Sequence, residues 1–392
     1  MLGLYLHIPF CAAICNYCNF NRGLFDAALK GRYVDALVQE LRSLTPAGML
    51  GADPAPASAD SSKRSTSSTA DTIYFGGGTP SLLEPLDVAR IVDACEESFR
   101  IAPDREVTLE ANPESVDAAR LSAFREAGVN RLSFGVQSFR DDELKRLSRL
   151  HSAARARDAV AEARAAGFEN ISLDLMMWLP GQRVEEWLES VDCAIDLAPE
   201  HLSLYMLEVY PNAPLREEMA RSRWSQAPDA DVARMYETAM ERLEGAGLLQ
   251  YEISNVARPN HRSRHNLKYW TDGEWLGFGC GAHSTRGGLR WKNVSSITEY
   301  VEAVGRGDSP ATDVRTLAHA ERLGEALFMG LRLVDGVDLD WIEARYGVDV
   351  WQRYGPDLEP FLKEGLLQLQ DRRFWLTRRG MLLAHEVMAV FV

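Results

Sequence analysis

The sequence predicts an α/β fold built on a parallel sheet, followed by a smaller unit of helices and a hairpin. Three observations carry this. Short β-forming runs alternate with helical patterns six times between residues 4 and 246, the arrangement that yields a parallel sheet with right-handed crossovers. Polar residues (Glu110, Gln137, Arg149, Asp174) recur towards the strand ends, the side on which α/β folds hold ligands. Past residue 310 the pattern changes to helices with one hairpin.

Residues 4–8 alternate like a strand that Pro9 ends, and a cysteine-bearing loop follows directly. Val34, Leu37, Val38 and Leu41 are spaced for a helix over 33–44. The stretch 46–71 holds Pro, Ala, Ser, Thr and Gly with no aromatic. It cannot bury enough to offset its ordering entropy, and it is expected to be a disordered insertion. Strands are expected at 72–75, 106–110, 131–136, 171–175 and 201–207, and helices at 115–127, 141–147, 153–166, 184–197 and 229–246. Residues 251–310, rich in Asn, Gly, Trp and His, are expected to form a loop-rich connection near the site. Residues 311–392 are expected to carry helices at 317–331, 341–346, 356–364 and 377–391, with a hairpin of 366–369 and 374–376, a winged-helix-like shape.

With 392 residues, 46% of them hydrophobic, the chain can bury one large domain and a smaller one. Lys and Arg total 43 against 57 Asp and Glu, a net charge of −14, which argues against non-specific nucleic-acid binding. From residue 311 onward there are 13 acidic and 10 basic residues, so the C-terminal unit reads as a lid or docking domain. No apolar run reaches the length of a membrane span, and MLGLYLHIPF lacks the basic start of a signal peptide. With clustered free cysteines, this points to the reducing cytoplasm, with peripheral membrane contact left open.

Cys11, Cys15 and Cys18 form a C-x3-C-x2-C loop. Thiolates this close can share one metal centre, but three are one short of a closed zinc site or a fully cysteine-ligated cluster. A four-iron cluster here would leave one iron open to an exogenous molecule. A zinc loop with a distant fourth ligand and three unconnected thiols are the alternatives. After the second strand, Gly76-Gly77-Gly78-Thr79 would let backbone N–H groups approach a ligand. No G-K-[ST] follows, so it is not a phosphate loop.

The cysteine loop, with Tyr17 before its last cysteine, and the glycine triplet resemble the radical S-adenosylmethionine (SAM) superfamily. The resemblance implies an open (βα)6 partial barrel with a [4Fe–4S] cluster on Cys11, Cys15 and Cys18. It implies SAM on the open iron, cleaved to a 5′-deoxyadenosyl radical, and an electron donor as partner if radical chemistry occurs. It places SAM contacts at Tyr5, Tyr17, Gly77, Gly78, Thr79, Glu110, Gln137, Arg149 and Asp174. Arg149 suits the SAM carboxylate, and Glu110 and Asp174 suit ribose hydroxyls or the sulfonium charge. No catalytic residue is assigned. The core spans 1–250 in this reading.

LYLHIPFC, IYFGGGTPSLL, LEANPES, GVNRLSFGVQSF, DLMMWLPGQ, YEISN and HNLKYW narrow the resemblance to the coproporphyrinogen III oxidase-like branch. Its dehydrogenases use a fourth cysteine two residues beyond the motif, where this chain has Phe20, and an N-terminal extension, for which ten residues ahead of Cys11 leave no room. Its HemW-type heme-chaperone group carries H-N-x-x-Y-W, present as His265-Asn266-Leu267-Lys268-Tyr269-Trp270. That likeness implies heme as cargo, delivered to heme-accepting proteins such as respiratory ones. A histidine can ligate heme axially, which makes His265 the candidate, with Tyr269 and Trp270 as flat apolar area. Coproporphyrinogen III dehydrogenation, or class C methyltransferase-like chemistry on a tetrapyrrole or large aromatic substrate, is the alternative. His283 and Cys280 are weaker heme candidates, His7 is expected to support the cluster, and Cys95 and Cys193 to pack on helices. The chain departs from the family at Asn19, where Asp is common, and at Trp178, where glycine is usual.

Overall fold

The computed structural model describes residues 1–43, 69–211 and 213–392. The chain runs β1 (Leu2–Ile8), α1 (Ala27–Ser43), β2 (Thr69–Gly77), α2 (Pro85–Ser98), β3 (Arg100–Ala111), α3 (Ala118–Glu126), β4 (Arg131–Gln137), α4 (Asp141–Arg146), α5 (Ala153–Ala165), β5 (Ile171–Met177), α6 (Val184–Asp196), β6 (His201–Met206), α7 (Pro214–Ser222) and α8 (Asp229–Gly245). It continues through β7 (Leu249–Glu252), β8 (Asn255–Ala257), α9 (Arg264–Trp270), β9 (Trp275–Phe278), β10 (His283–Arg286), β11 (Leu289–Asn293), α10 (Ile297–Gly305) and β12 (Ala311–Thr316). The last part holds α11 (His319–Gly330), β13 (Val337–Asp338), α12 (Leu339–Tyr346), α13 (Val350–Lys363), β14 (Leu367–Gln370), β15 (Arg373–Leu376), α14 (Arg378–Leu382) and α15 (Ala384–Met388). The six alternating units read from the sequence are β1 to α8.

Contacts divide the chain into two compact units. The first comprises Met1–Phe134, Asp158–Glu169 and Glu274–Thr316, and the second Gly135–Arg157, Asn170–Gly273 and Leu317–Val392. Strand β4 and helix α5 run from one into the other.

In the first unit β1, β2 and β3 pair in parallel and β9 joins the other edge of β1, also parallel. Strands β10, β11 and β12 extend that edge antiparallel. Every residue of β1 is buried except Tyr5, which is half-buried. Leu2, Leu4, Leu6 and Ile8 alternate with Gly3, Tyr5 and His7, so the two sets take opposite faces. Helix α1 buries Tyr33, Val34, Leu37, Val38 and Leu41, the stripe its spacing predicts. Each such fully buried aliphatic contributes about 2 kcal/mol. The helix starts at Ala27 rather than 33, because the Asp26 carboxylate accepts the Leu29 N–H at 2.9 Å and caps it. Strand β2 begins at Thr69, so 69–71 of the expected insertion are strand; the remainder, 46–68, lies outside the described residues. The expected loop-rich stretch 251–310 carries β8 to β11 with α9 and α10 instead.

In the second unit β5 and β6 pair in parallel, with Asp174 opposite Ser203, and β8 lies antiparallel between β6 and β7. Helix α6 packs on α8 through the buried Trp187, whose indole N–H donates to the Met235 carbonyl at 3.0 Å. Strand β5 continues to Met177, which places Asp174 in mid-strand rather than at the end. Strands β13, β15 and β14 form a small antiparallel sheet alongside the C-terminal helices, as the winged-helix-like reading expects. Helix α13 starts at Val350 under an Asp349 cap and passes through Pro356, where the sequence pattern places its first residue. The helix expected over 377–391 breaks at Leu383 into α14, α15 and a final 3-10 turn.

Candidate functional site

The cysteine loop hangs from the end of β1. Its ends are closed by the pairing of Phe10 and Cys11 with Gly23 and Leu24, reinforced by Gly23 N–H to the Pro9 carbonyl at 2.7 Å and Phe25 N–H to the Cys11 carbonyl at 2.9 Å. Cys11 is buried, Cys15 and Cys18 are half-buried, and all three are free thiols. Tyr17 is half-buried beside Cys18, and Phe20 is 70% exposed. The Arg22 guanidinium donates to the carbonyls of Phe20 and Cys18 and staples the turn. Burial pushes the Cys11 thiol up. The Thr79 hydroxyl opposes this, the neighbouring Cys18 and Cys15 sulfurs add to it, and Arg22 opposes it. Each ionised sulfur here makes the next harder to ionise, so a bound cation would stabilise the three thiolates together. A four-iron cluster fits such a donor set, since each thiolate binds a separate iron. Among the described residues no three His, Cys, Asp or Glu side chains converge on a single ion.

The glycine segment is folded against this loop. Gly78 N–H donates to the Ile8 carbonyl at 2.7 Å and Thr79 N–H to the Phe10 carbonyl at 2.8 Å. Gly77 N–H donates to Glu110 Oε2 at 3.0 Å, and the Tyr74 hydroxyl donates to Glu110 Oε1 at 2.8 Å. These amide N–H groups are thus engaged inside the protein, which corrects the expectation for the donors; a SAM contact in this segment falls to its other atoms. Glycine is needed for close approach: a Cβ on Gly78 would sit 2.7 Å from the Phe10 carbonyl oxygen, and one on Gly77 2.6 Å from the His7 ring. Tyr5 stacks on Tyr74 with centroids 6.2 Å apart, and its hydroxyl lies 3.1 Å from His7 Nδ1. His7 Nε2 lies 2.8 Å from the Asn21 carbonyl. A carbonyl only accepts, so the proton is on Nε2 and Nδ1 accepts from Tyr5. Burial holds the His7 imidazole below its ordinary value, opposed by the Asn21 carbonyl and helped by His283.

The residues that brace the loop escaped the sequence reading. Asn21 donates to the carbonyls of Cys280 (3.2 Å) and Ser295 (3.0 Å). The Tyr33 hydroxyl donates to the His7 carbonyl at 2.7 Å and accepts the Cys280 N–H at 3.0 Å. Glu40, fully enclosed, accepts from Gly279 N–H, Asn293 and Tyr300 at 2.9, 2.7 and 2.6 Å. A charged residue inside the apolar stripe of α1 was the available signal. Cys280 is buried and its thiol is pushed up to about 11 by burial. Cys95 is buried as expected, whereas Cys193 is half-buried with the Arg157 guanidinium 3.2 Å from its sulfur.

The second unit holds the other candidates. Gln137 ends β4 in the left-handed region with φ 68°. Arg149 folds back on the same strand, donating to the Gly135 carbonyl at 2.7 Å. Asp174 is the single half-buried residue of β5. Trp178 has φ 64°, a conformation glycine adopts without cost. Its indole N–H donates to the Ala227 carbonyl at 2.8 Å. His265 lies in the first turn of α9, capped by Ser263; it is 1% exposed, and its Nε2 is 2.9 Å from the Tyr269 hydroxyl. The face of Trp270, expected to offer flat apolar area, is covered by the Arg332 guanidinium at 4.4 Å, and Arg332 also pairs with the buried Glu252 at 2.9 Å.

The fold and the cysteine loop define a radical SAM protein. The family model of the radical SAM superfamily matches residues 59–194, and that of the HemN C-terminal domain matches 317–383. The solved coproporphyrinogen III oxidase (HemN) of Escherichia coli, a radical SAM enzyme, shares the fold with a TM-score of 0.83 at 22% identity, over 100% of this chain and 89% of that one. The chain is 35% identical to the heme chaperone HemW of Bacillus subtilis (strain 168) over 100% of its own length and 99% of the relative's. It is 37% identical to the mitochondrial radical S-adenosyl methionine domain-containing protein 1 of Mus musculus, over 94% and 82%. The chain belongs to the HemW heme-chaperone family.

Proposed function

We propose that this protein takes up heme and hands it to heme-requiring acceptor proteins, respiratory ones among them, in the cytoplasm or at a membrane face. The observation that carries the reading is the end-to-end likeness to heme chaperones HemW. Phe20, standing where the resembled dehydrogenases have a further cysteine, agrees with it. No helix among the described residues is long and apolar enough to cross a membrane.

Cys11, Cys15 and Cys18 hold the [4Fe–4S] cluster in this reading. When bound, it supplies one electron and an open iron position for SAM. Arg22 and Thr79 steady the loop, and Glu110 fixes the glycine backbone beside it. The SAM contacts the resemblance implies are Tyr5, Tyr17, Gly77, Gly78, Thr79 and Glu110 in the first unit and Gln137, Arg149 and Asp174 in the second, with Arg149 the partner for a carboxylate. His265 is the heme ligand in this reading, and its Nε2, 2.9 Å from the Tyr269 hydroxyl, would exchange that contact for iron.

Anaerobic heme titration of the protein and of His265→Ala tests the ligand, with loss of affinity and a changed absorption spectrum expected. An unchanged affinity and spectrum in the variant rejects His265. Iron and sulfide analysis after reconstitution tests the cluster: about four of each per chain are expected, and they should be lost in Cys15→Ser.

A further inference from the structure

Strand β4 ends in an uncommon turn. Ser138 N–H donates to the Val136 carbonyl at 2.9 Å, two residues back, around Gln137 at φ 68°. This is the γ-turn with positive φ, a strained form that persists only where its surroundings hold it. His151 Nε2 lies 3.0 Å from the same Val136 carbonyl, and Arg149 donates to the Gly135 carbonyl just before it. Beyond the turn, Phe139 N–H donates to the Ser190 hydroxyl at 3.3 Å and Arg140 N–H to the Ser138 hydroxyl at 3.0 Å.

A buried carboxylate stands at the centre of these ties. Glu143, in the first turn of α4 and 0% exposed, accepts from the Ser138 hydroxyl on Oε2 at 2.5 Å and from the Gln182 amide on Oε1 at 3.1 Å. Gln182 Oε1 in turn accepts the Leu179 N–H at 3.2 Å, next to Trp178 at φ 64°. The carboxylate thus joins the chain leaving β4 to the chain leaving β5, each close to a residue with positive φ. All of these residues belong to the second unit. Burial pushes the Glu143 carboxyl up; Ser138 and Gln182 oppose this, Asp142 adds to it and Arg140 opposes it. Burial prevails, so the carboxylate is held here at a cost to the fold. A neutral side chain would avoid that cost, but it would not turn two carboxylate oxygens towards two separate loops.

We propose that Glu143 is a positioning residue: through Ser138 and Gln182 it fixes the γ-turn that presents Gln137 to SAM. This rests on the reading above in which Gln137 is a SAM contact, and it adds the residue that sets the geometry of that contact. Without the carboxylate the turn relaxes towards negative φ, and only the remaining fraction of molecules offers Gln137 correctly.

The test measures SAM binding by the full chain after anaerobic cluster reconstitution, in a double-mutant cycle of Glu143→Ala and Gln137→Ala. At equal iron content, Glu143→Ala should weaken SAM binding about tenfold. Added to Gln137→Ala it should cause no further loss, since it acts through that residue. Glu143→Gln keeps an acceptor for Gln182 and can donate to Ser138, so it should restore most of the affinity. Additive losses in the cycle, or unchanged binding in Glu143→Ala, overturn the positioning role and leave the SAM reading intact. So does a loss in Glu143→Gln as large as that in Glu143→Ala. Unchanged binding in Gln137→Ala removes Gln137 as a contact and the proposal with it. Failure of the unmodified protein to bind SAM removes the SAM reading as a whole. Should Glu143→Ala not fold, Ser138→Ala, which removes only a hydroxyl, takes its place in the cycle.

Discussion

The Tyr269 hydroxyl lies 2.9 Å from His265 Nε2, one helical turn apart on α9, with the two rings edge to face at 5.4 Å. An imidazole nitrogen held by a phenol must exchange that bond for iron before it ligates heme. Such a bond is worth about 1 kcal/mol. Tyr269→Phe is therefore expected to raise heme affinity about fivefold, read by titration beside His265→Ala. A variant that binds more weakly would mean that Tyr269 assists the ligand instead of competing with it.

Gly77 combines a φ of 116° with a Cβ position 2.6 Å from the His7 ring. Gly77→Ala should destabilise the fold by about 2 kcal/mol and lower iron content after reconstitution, because His7 moves against the loop. Gly31, inside α1 with nothing within 4 Å of its Cβ position, provides the contrast. Gly31→Ala should stabilise by about 0.5–1 kcal/mol. Urea midpoints of the two variants check the pair.

Glu40 titrates against the fold. Burial raises its carboxyl above the ordinary 4.5, and the donors Tyr300, Gly279 and Asn293 only partly offset this. A raised folded-state value means that the folded chain binds the proton more tightly. The contribution is full below the unfolded value and is lost as pH rises through the folded one. Relative to Glu40→Gln, which does not titrate, the stability of the unmodified protein should decline from about pH 4.5 upward and then level off. Urea midpoints across this range measure it. A difference that rises with pH would show that the three donors outweigh burial.

Trp178 sits at φ 64° with its indole bound to Ala227. Both Trp178→Gly and Trp178→Ala lose that bond, but only glycine relieves the backbone. The glycine variant should therefore be more stable than the alanine variant by about 1 kcal/mol, the reverse of the usual order, as thermal melts would show. Equal stabilities would mean that the backbone leaves the left-handed region once the indole is gone.

The parallel strands were legible because they are buried on both faces and read as apolar runs between turn signals. Leu2–Ile8 and Ile171–Met177 each interrupt that run with one half-buried polar residue, Tyr5 and Asp174. Strands β10 to β12 escaped notice. They are four to six residues long and carry charges such as Arg290, Lys292 and Arg315 on one face, so they lack the hydrophobic contrast by which a strand is recognised. The start of α13 was missed because Pro356 resembles a first-turn residue, while the Asp349 cap carried the better signal.

By itself the sequence determined the α/β order of the core, the three-thiol loop and the family, because these depend on local spacing and on residue types a few positions apart. The tertiary structure alone decided where the donors go. It turned the glycine amides onto Glu110, Ile8 and Phe10, closed His265 with Tyr269, covered Trp270 with Arg332, and hung the cysteine loop on Asn21 and Tyr33. Most of these partners are tens to hundreds of residues apart. A buried donor must find an acceptor, but which acceptor it finds depends on the packing that brings distant segments together.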